Sequence, residues 1–151
     1  MSARFENRDQ IINTIRRLGT ESPRFRALLL RKISQHFLKL IAEFAPRETG
    51  EYAKSWKVIE QSDRKLILGT PMTTLFFVLE YGVDHEVTIY AKDPDHPLHW
   101  IDHFGNDAFA TKVTLPPRPP HPHARTAYND TMRDLFILAK QALMEQYSFI
   151  H

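Results

Sequence analysis

The stretch "APRETGEYAKSWKV", residues 45–58, is where this chain changes character. Before it, apolar residues recur at three- and four-residue spacing; after it, they alternate. Three readings compete for Glu48-Thr49-Gly50-Glu51: an acid pair for catalysis, a phosphate loop, or a hinge. A phosphate loop needs several glycines and a Lys-Ser/Thr pair opening a helix. Here Gly50 stands alone, and the five glycines of the chain form neither GxGxxG nor GxxxxGK. Glu48 and Glu51 sit in a polar segment, without the pocket and opposed environments that an acid–base pair requires. Thr49 fits a helix cap, Glu51 the positive end of the helix that follows, and Gly50 a backbone conformation costly for other residues. The stretch reads as a turn that redirects the chain from a helix into a sheet.

Upstream lie two helices. Phe5, Ile11, Ile12, Ile15 and Leu18 share one face of a short first helix within residues 1–20, with Gly19 expected to close it. Ser22-Pro23 then fits an N-cap with proline at the first helical position. From there Leu29, Leu30, Ile33, Phe37, Leu40, Ile41 and Phe44 mark a long helix of about 22 residues, or about 33 Å. Pro46 stops it.

Downstream the chain reads as β. "SWKVIEQ" and "KLILG" flank the turn "SDR" and predict a hairpin. "TPMTTLFFVLEYG" fits a buried strand and a short helix equally. "HEVTIYA", "LHWI" and "AFATKVTL" read as three further strands. Residues 116–123, "PPRPPHPH", hold five prolines in eight positions and predict a partly rigid, extended arm. Ala127, Met132, Leu135, Phe136, Leu138, Ala139, Leu143 and Tyr147 then mark one amphipathic closing helix. Strands clustered between helices predict an α+β fold: one domain over residues 1–151, with the long and closing helices packed on a small antiparallel sheet.

His96, His99 and His103, with Asp93, Asp95 and Asp102 nearby, would present a zinc-like face on a helix. Pro94, Pro97 and Gly105 break that helix, and on a strand residues three apart point to opposite sides. His121 and His123 lie in an extended run. The histidines therefore read as exposed loop residues, with a His/Asp metal-dependent nuclease as the enzymatic alternative. No serine sits in a GxSxG elbow. Trp56, Trp100 and Phe104 read as core or interface aromatics. The chain has no cysteine, which excludes disulfides and thiolate metal sites. No apolar run reaches about 18 residues, so no spanning helix is expected. The start, "MSARFENRDQ", lacks a signal core, so export by that route is not expected.

Net charge is +2, unevenly spread. Residues 1–45 carry nine basic and four acidic residues, residues 46–100 six and nine, and residues 101–151 five of each. A basic third against an acidic middle suits a polyanion-facing surface or head-to-tail contact between copies. The basic helix, with Arg24, Arg31 and Lys39, makes a nucleic-acid-binding module a further alternative. It lacks a turn-helix or zinc-finger signature.

Four stretches together, "APRETGEYAKSW", "LEYG", "LHWIDHFGNDAFATKVTLP" and "PPHPHARTA", resemble the tail-completion or neck proteins of long-tailed phages, the gene-product-ten-like minor tail family of lambda-type phages. Ala45, Pro46, Thr49 and Gly50 match that family's first element, Glu80, Tyr81 and Gly82 its second, and Pro120, Pro122, Arg125 and Ala127 its last. Two positions depart from the pattern: Tyr52 stands where Leu is usual, and His123 where Phe is usual. The resemblance implies a structural protein and no enzyme, without cofactor or metal. It implies sixfold rings at the head–tail junction of the virion, after synthesis in the host cytoplasm. Partners would be other copies, head-connector or adaptor proteins, and the tail-tube or tail-terminator protein, with packaged double-stranded DNA passing through and no membrane. A tail-terminator ring is the neighbouring reading. The proline arm, the loops at 83–86 and 92–104, and Arg24, Arg31 and Lys39 are the expected contacts with a neighbour or the DNA channel.

Overall fold

The structure is a computed structural model that describes residues 8–47, 50–93, 95–102 and 104–148. They form six helices and six short strands in an α+β arrangement. The chain divides into two compact units: a helical unit of residues 1–73 and 123–151, and a hairpin unit of residues 74–122 inserted into it.

The helical unit opens with α1 (Arg8–Glu21) and α2 (Pro23–Phe44). Ser22 caps α2 as expected: its Oγ accepts a hydrogen bond from the Phe25 N–H at 3.1 Å, and Pro23 takes the first turn. Helix α2 ends at Ala45, whose extended backbone precedes Pro46. Gly19, by contrast, does not close α1. The helix runs on to Glu21, and the Arg26 guanidinium donates back to the carbonyls of Gly19 (3.3 Å) and Thr20 (2.9 Å). A side chain from the next helix thus satisfies the terminal carbonyls that a left-handed glycine would otherwise help to satisfy.

After Gly50 come the short helix α3 (Glu51–Ser55) and the expected hairpin, β1 (Lys57–Gln61) with β2 (Leu66–Gly69). The pairing register slips between Val58 and Glu60, so Ile59 lies in a bulge. The turn is held by Ser62, whose Oγ accepts from the Arg64 and Lys65 N–H groups. Arg26 also reaches this turn, donating through Nε and Nη2 to Asp63 at 3.2 and 2.6 Å.

The closing helix is two helices, α5 (Ala124–Arg133) and α6 (Leu135–Ser148). They are interrupted at Asp134 (φ −88°, ψ 4°), a poor helix former. Its Oδ2 lies 3.2 Å from His36 Nε2 of α2, within ion-pair range but poorly aligned for a hydrogen bond. Helix α2 packs mainly on α6 and α5, with lesser contact to β1 and β2. Ile11, Phe25, Ala142 and Leu143 form the centre of the core, flanked by Ile15, Leu18, Leu28, Leu29 and Tyr147. Fully burying Phe25 or Leu143 stabilises by about 1.5–3 kcal/mol each.

The hairpin unit opens with α4 (Thr73–Tyr81), so the ambiguous run "TPMTTLFFVLEYG" is a helix. Gly82 closes α4 at φ +72°, its N–H bonded to Val78 O at 3.0 Å. Strand β3 (Val87–Tyr90) pairs with β6 (Lys112–Leu115), and between them β4 (Leu98–Ile101) pairs with β5 (Asp107–Ala110). The expected single strand "AFATKVTL" is therefore two strands that change partner at Thr111, whose carbonyl accepts from the Ala91 N–H. Across the described residues the strands form three two-stranded antiparallel sheets. Among the described residues no helix is long and apolar enough to cross a membrane.

Candidate functional site

Gly50 has φ +71°, with open space where a Cβ would stand, so only backbone strain bars a side chain there. It is the residue that turns the chain into α3, and its carbonyl receives the Lys54 N–H. Glu51 is exposed in the first turn of α3. Pro46 is half-buried, and Thr49 and Glu48 lie outside the described residues.

Tyr52, one of the two positions that depart from the pattern the sequence resembles, is buried on α3. Its hydroxyl shares a 2.7 Å hydrogen bond with Nε2 of His123, the second departure, and their rings meet edge-on at 5.2 Å. His123 is 0 % exposed, so the expectation of an exposed loop histidine fails at this position. Trp56 stands edge-on to both rings and 5.9 Å from Phe37. Ala127, the last motif residue, is fully buried one helical turn beyond His123, whose carbonyl accepts its N–H. Arg125 is exposed. The first and last motifs thus meet in one aromatic cluster of the helical unit.

The second motif meets the proline arm within the hairpin unit. Val83 and Arg118 exchange two backbone hydrogen bonds of 2.8 Å, and the His121 N–H donates to Leu79 O at 2.6 Å. A Cβ on Gly82 would stand 2.6 Å from Pro120 N and 2.7 Å from Arg118 O. The glycine is needed both for its left-handed backbone and for the closeness of the arm. So the arm is extended, as expected, but seated on its own chain; Pro120 and Pro122 themselves are exposed. Glu80 is buried. Tyr81 is exposed and stacked on Phe77, with ring centroids 6.0 Å apart.

Of the basic residues, Arg31 and Lys32 both pair with Glu145 of α6, the second at 2.7 Å. The Lys32 ammonium first, and then the Arg31 guanidinium, hold the Glu145 carboxyl below the usual glutamate range. Arg31 therefore joins two helices of its own chain. Arg24 and Lys39 are exposed on α2.

The histidine–aspartate cluster forms separate surface pairs: His96 with Asp93 at 2.8 Å, His99 with Asp107 at 2.6 Å, and His85 with Asp84 at 2.7 Å. Asp102 is occupied by the turn of the β4–β5 hairpin. It accepts from the Asn106 and Phe104 N–H groups, and these bonds, Asn106 first, keep its carboxyl below the usual range. His103 lies outside the described residues. Among the described residues no three His, Asp or Glu groups come together as a metal site. Trp100 and Phe104 are exposed, which suits an interface better than a core.

Comparison with family models, with curated proteins and with solved structures found no match.

Proposed function

We propose that this chain is a structural protein of a tailed-phage virion, a tail-completion or neck subunit that forms a ring at the head–tail junction. It would join the connector to the tail around the DNA path, and in this reading it is no enzyme. The observation that carries the reading is the meeting of Tyr52 with His123. These are the two positions where the chain departs from the family pattern, and they lie 71 residues apart. The two departures coincide in one buried, hydrogen-bonded pair, so the core site they share is filled by matched partners. The seating of the arm over Gly82 supports it in the same way, since the second motif meets the last there.

The test uses the full chain, DNA-filled heads lacking this subunit, and separate tails. Addition of the chain is expected to restore head–tail joining equally with and without chelator, with rings visible at the connector. Failure to bind either particle would overturn the reading. Bound metal whose removal by chelator destabilises the chain would favour the His/Asp nuclease instead.

A further inference from the structure

The β4–β5 hairpin carries an apolar face turned outward. Ile101 is 65 % and Phe109 63 % exposed, with Phe104 near the tip and His99 stacked on Phe109 at 4.8 Å. The hairpin and its approach are acidic: Asp107 stands opposite Ile101 and pairs with His99 at 2.6 Å, Asp102 holds the hairpin's turn, and Asp93 and Asp95 lie in the loop before β4. An isolated two-stranded ribbon is marginal in water, and outward aromatics on it mark a surface that is covered in use.

The helical unit carries a counterpart. Ile12, Ile15, Arg16, Leu135, Phe136 and Ala139 line a groove of about 300 Å³ between α1 and α6, with room for a large apolar side chain. Its rim is basic: Arg16 lines it, and the Arg8 guanidinium lies over the Phe136 ring at 5.7 Å. The same opposition holds over the whole units. Residues 74–122 hold seven acidic and three basic residues, net −4, against eleven acidic and seventeen basic in the remainder, net +6.

We propose that the β4–β5 hairpin of one copy docks, through Ile101 and Phe109, in the α1–α6 groove of a second copy. The occupant is a second copy because the two surfaces are complementary: each presents apolar side chains, one beside acidic groups and the other beside basic ones. Such a contact is heterologous, so an open assembly keeps one unused hairpin at one end and one unused groove at the other, and association continues until a ring closes. Closure rests on the ring reading above; the pairwise contact does not.

The test is light scattering of the full chain over a range of concentrations, with Phe109→Asp on the hairpin and Phe136→Asp in the groove. Both side chains are solvent-accessible, and circular dichroism checks the fold. The parent chain is expected to associate, and each variant to associate roughly tenfold or more weakly. An equimolar mixture of the two variants is expected to give dimers and nothing larger, since one intact groove meets one intact hairpin. Arg16→Glu, which spares the groove floor, should weaken association and reduce its salt dependence, and serves if Phe136→Asp fails to fold. A parent chain monomeric at every concentration, variants that keep the parent mass, or a mixture that stays monomeric would each overturn the contact. The two proposals fail separately. Particle binding with association insensitive to these variants sinks the contact alone; variant-sensitive association without particle binding sinks the virion reading alone.

Discussion

All eleven buried apolar side chains of the described residues lie in the helical unit, and Glu80 is the only buried residue described in the hairpin unit. The first unit is built by burial. Helices α1, α2 and α6 enclose Ile11, Phe25, Ala142 and Leu143, and the pairs Arg26–Asp63, Arg31–Glu145 and Lys32–Glu145 lie at the edge. The second is built by backbone hydrogen bonds: the Asp102 turn, the glycine at 82, the paired strands and the seated arm. A segment of about 50 residues without a buried apolar side chain has little hydrophobic stabilisation of its own. Sequence hydrophobicity therefore serves two ends in one chain. In one unit it closes a core, and in the other it faces outward, where we propose that a second copy covers it.

The comparison breaks most easily at Phe25. Phe25→Ala should cost about 3–5 kcal/mol in urea unfolding, by opening a cavity in the core of the helical unit. A loss under about 1 kcal/mol would show that this unit is not held by burial. Next comes Gly82→Ala, which combines a left-handed backbone with a collision against the backbone of the arm. About 2–3 kcal/mol is expected, with amide exchange quickened first at Val83 and Arg118. Exchange that rises uniformly over both units would remove the distinction between them.

Tyr52 and His123 sharpen the contrast at a smaller scale. Tyr52→Phe should cost about 1–2 kcal/mol by leaving His123 without one buried partner. The double change Tyr52→Leu with His123→Phe should lie closer to the parent than the two single changes summed. Strict additivity would mean the two side chains do not act as a pair.

The smallest effect is electrostatic. The Glu145 carboxyl is held low in the folded chain, so its stabilising contribution is fully present above the ordinary glutamate range. It is lost as the pH falls through the depressed folded value. Glu145→Gln should therefore flatten the acid limb of the stability–pH curve and leave the neutral region little changed. An unaltered acid limb would remove Glu145 from the account.

Much of this was legible in local sequence, and what was missed had non-local causes. Ser22-Pro23 and Pro46 bracket α2 by signals within a few residues, and Gly50 announces its turn by being the one residue that tolerates it. Gly19 misled because the carbonyls at the end of α1 are served by Arg26, beyond the next cap. "AFATKVTL" reads as one strand because alternation says nothing of partners, and the break at Thr111 is a change of partner. His123 looked exposed because prolines surround it; its burial is decided by Tyr52, Trp56 and Ala127. The groove was invisible in sequence, since Ile12 and Phe136 are each an ordinary member of an amphipathic face.

The pairing of α2 with α6 has a consequence in time. Arg31 and Glu145 are 114 residues apart, and Ser22 and Gln146 are 124. The apolar stripe of α2 is synthesised early, yet its cover follows about 100 residues later, about 5–20 s at ordinary rates of translation. During that interval Phe25 has no Ala142 or Leu143 to pack against. The helical core closes only after Leu143 has been made.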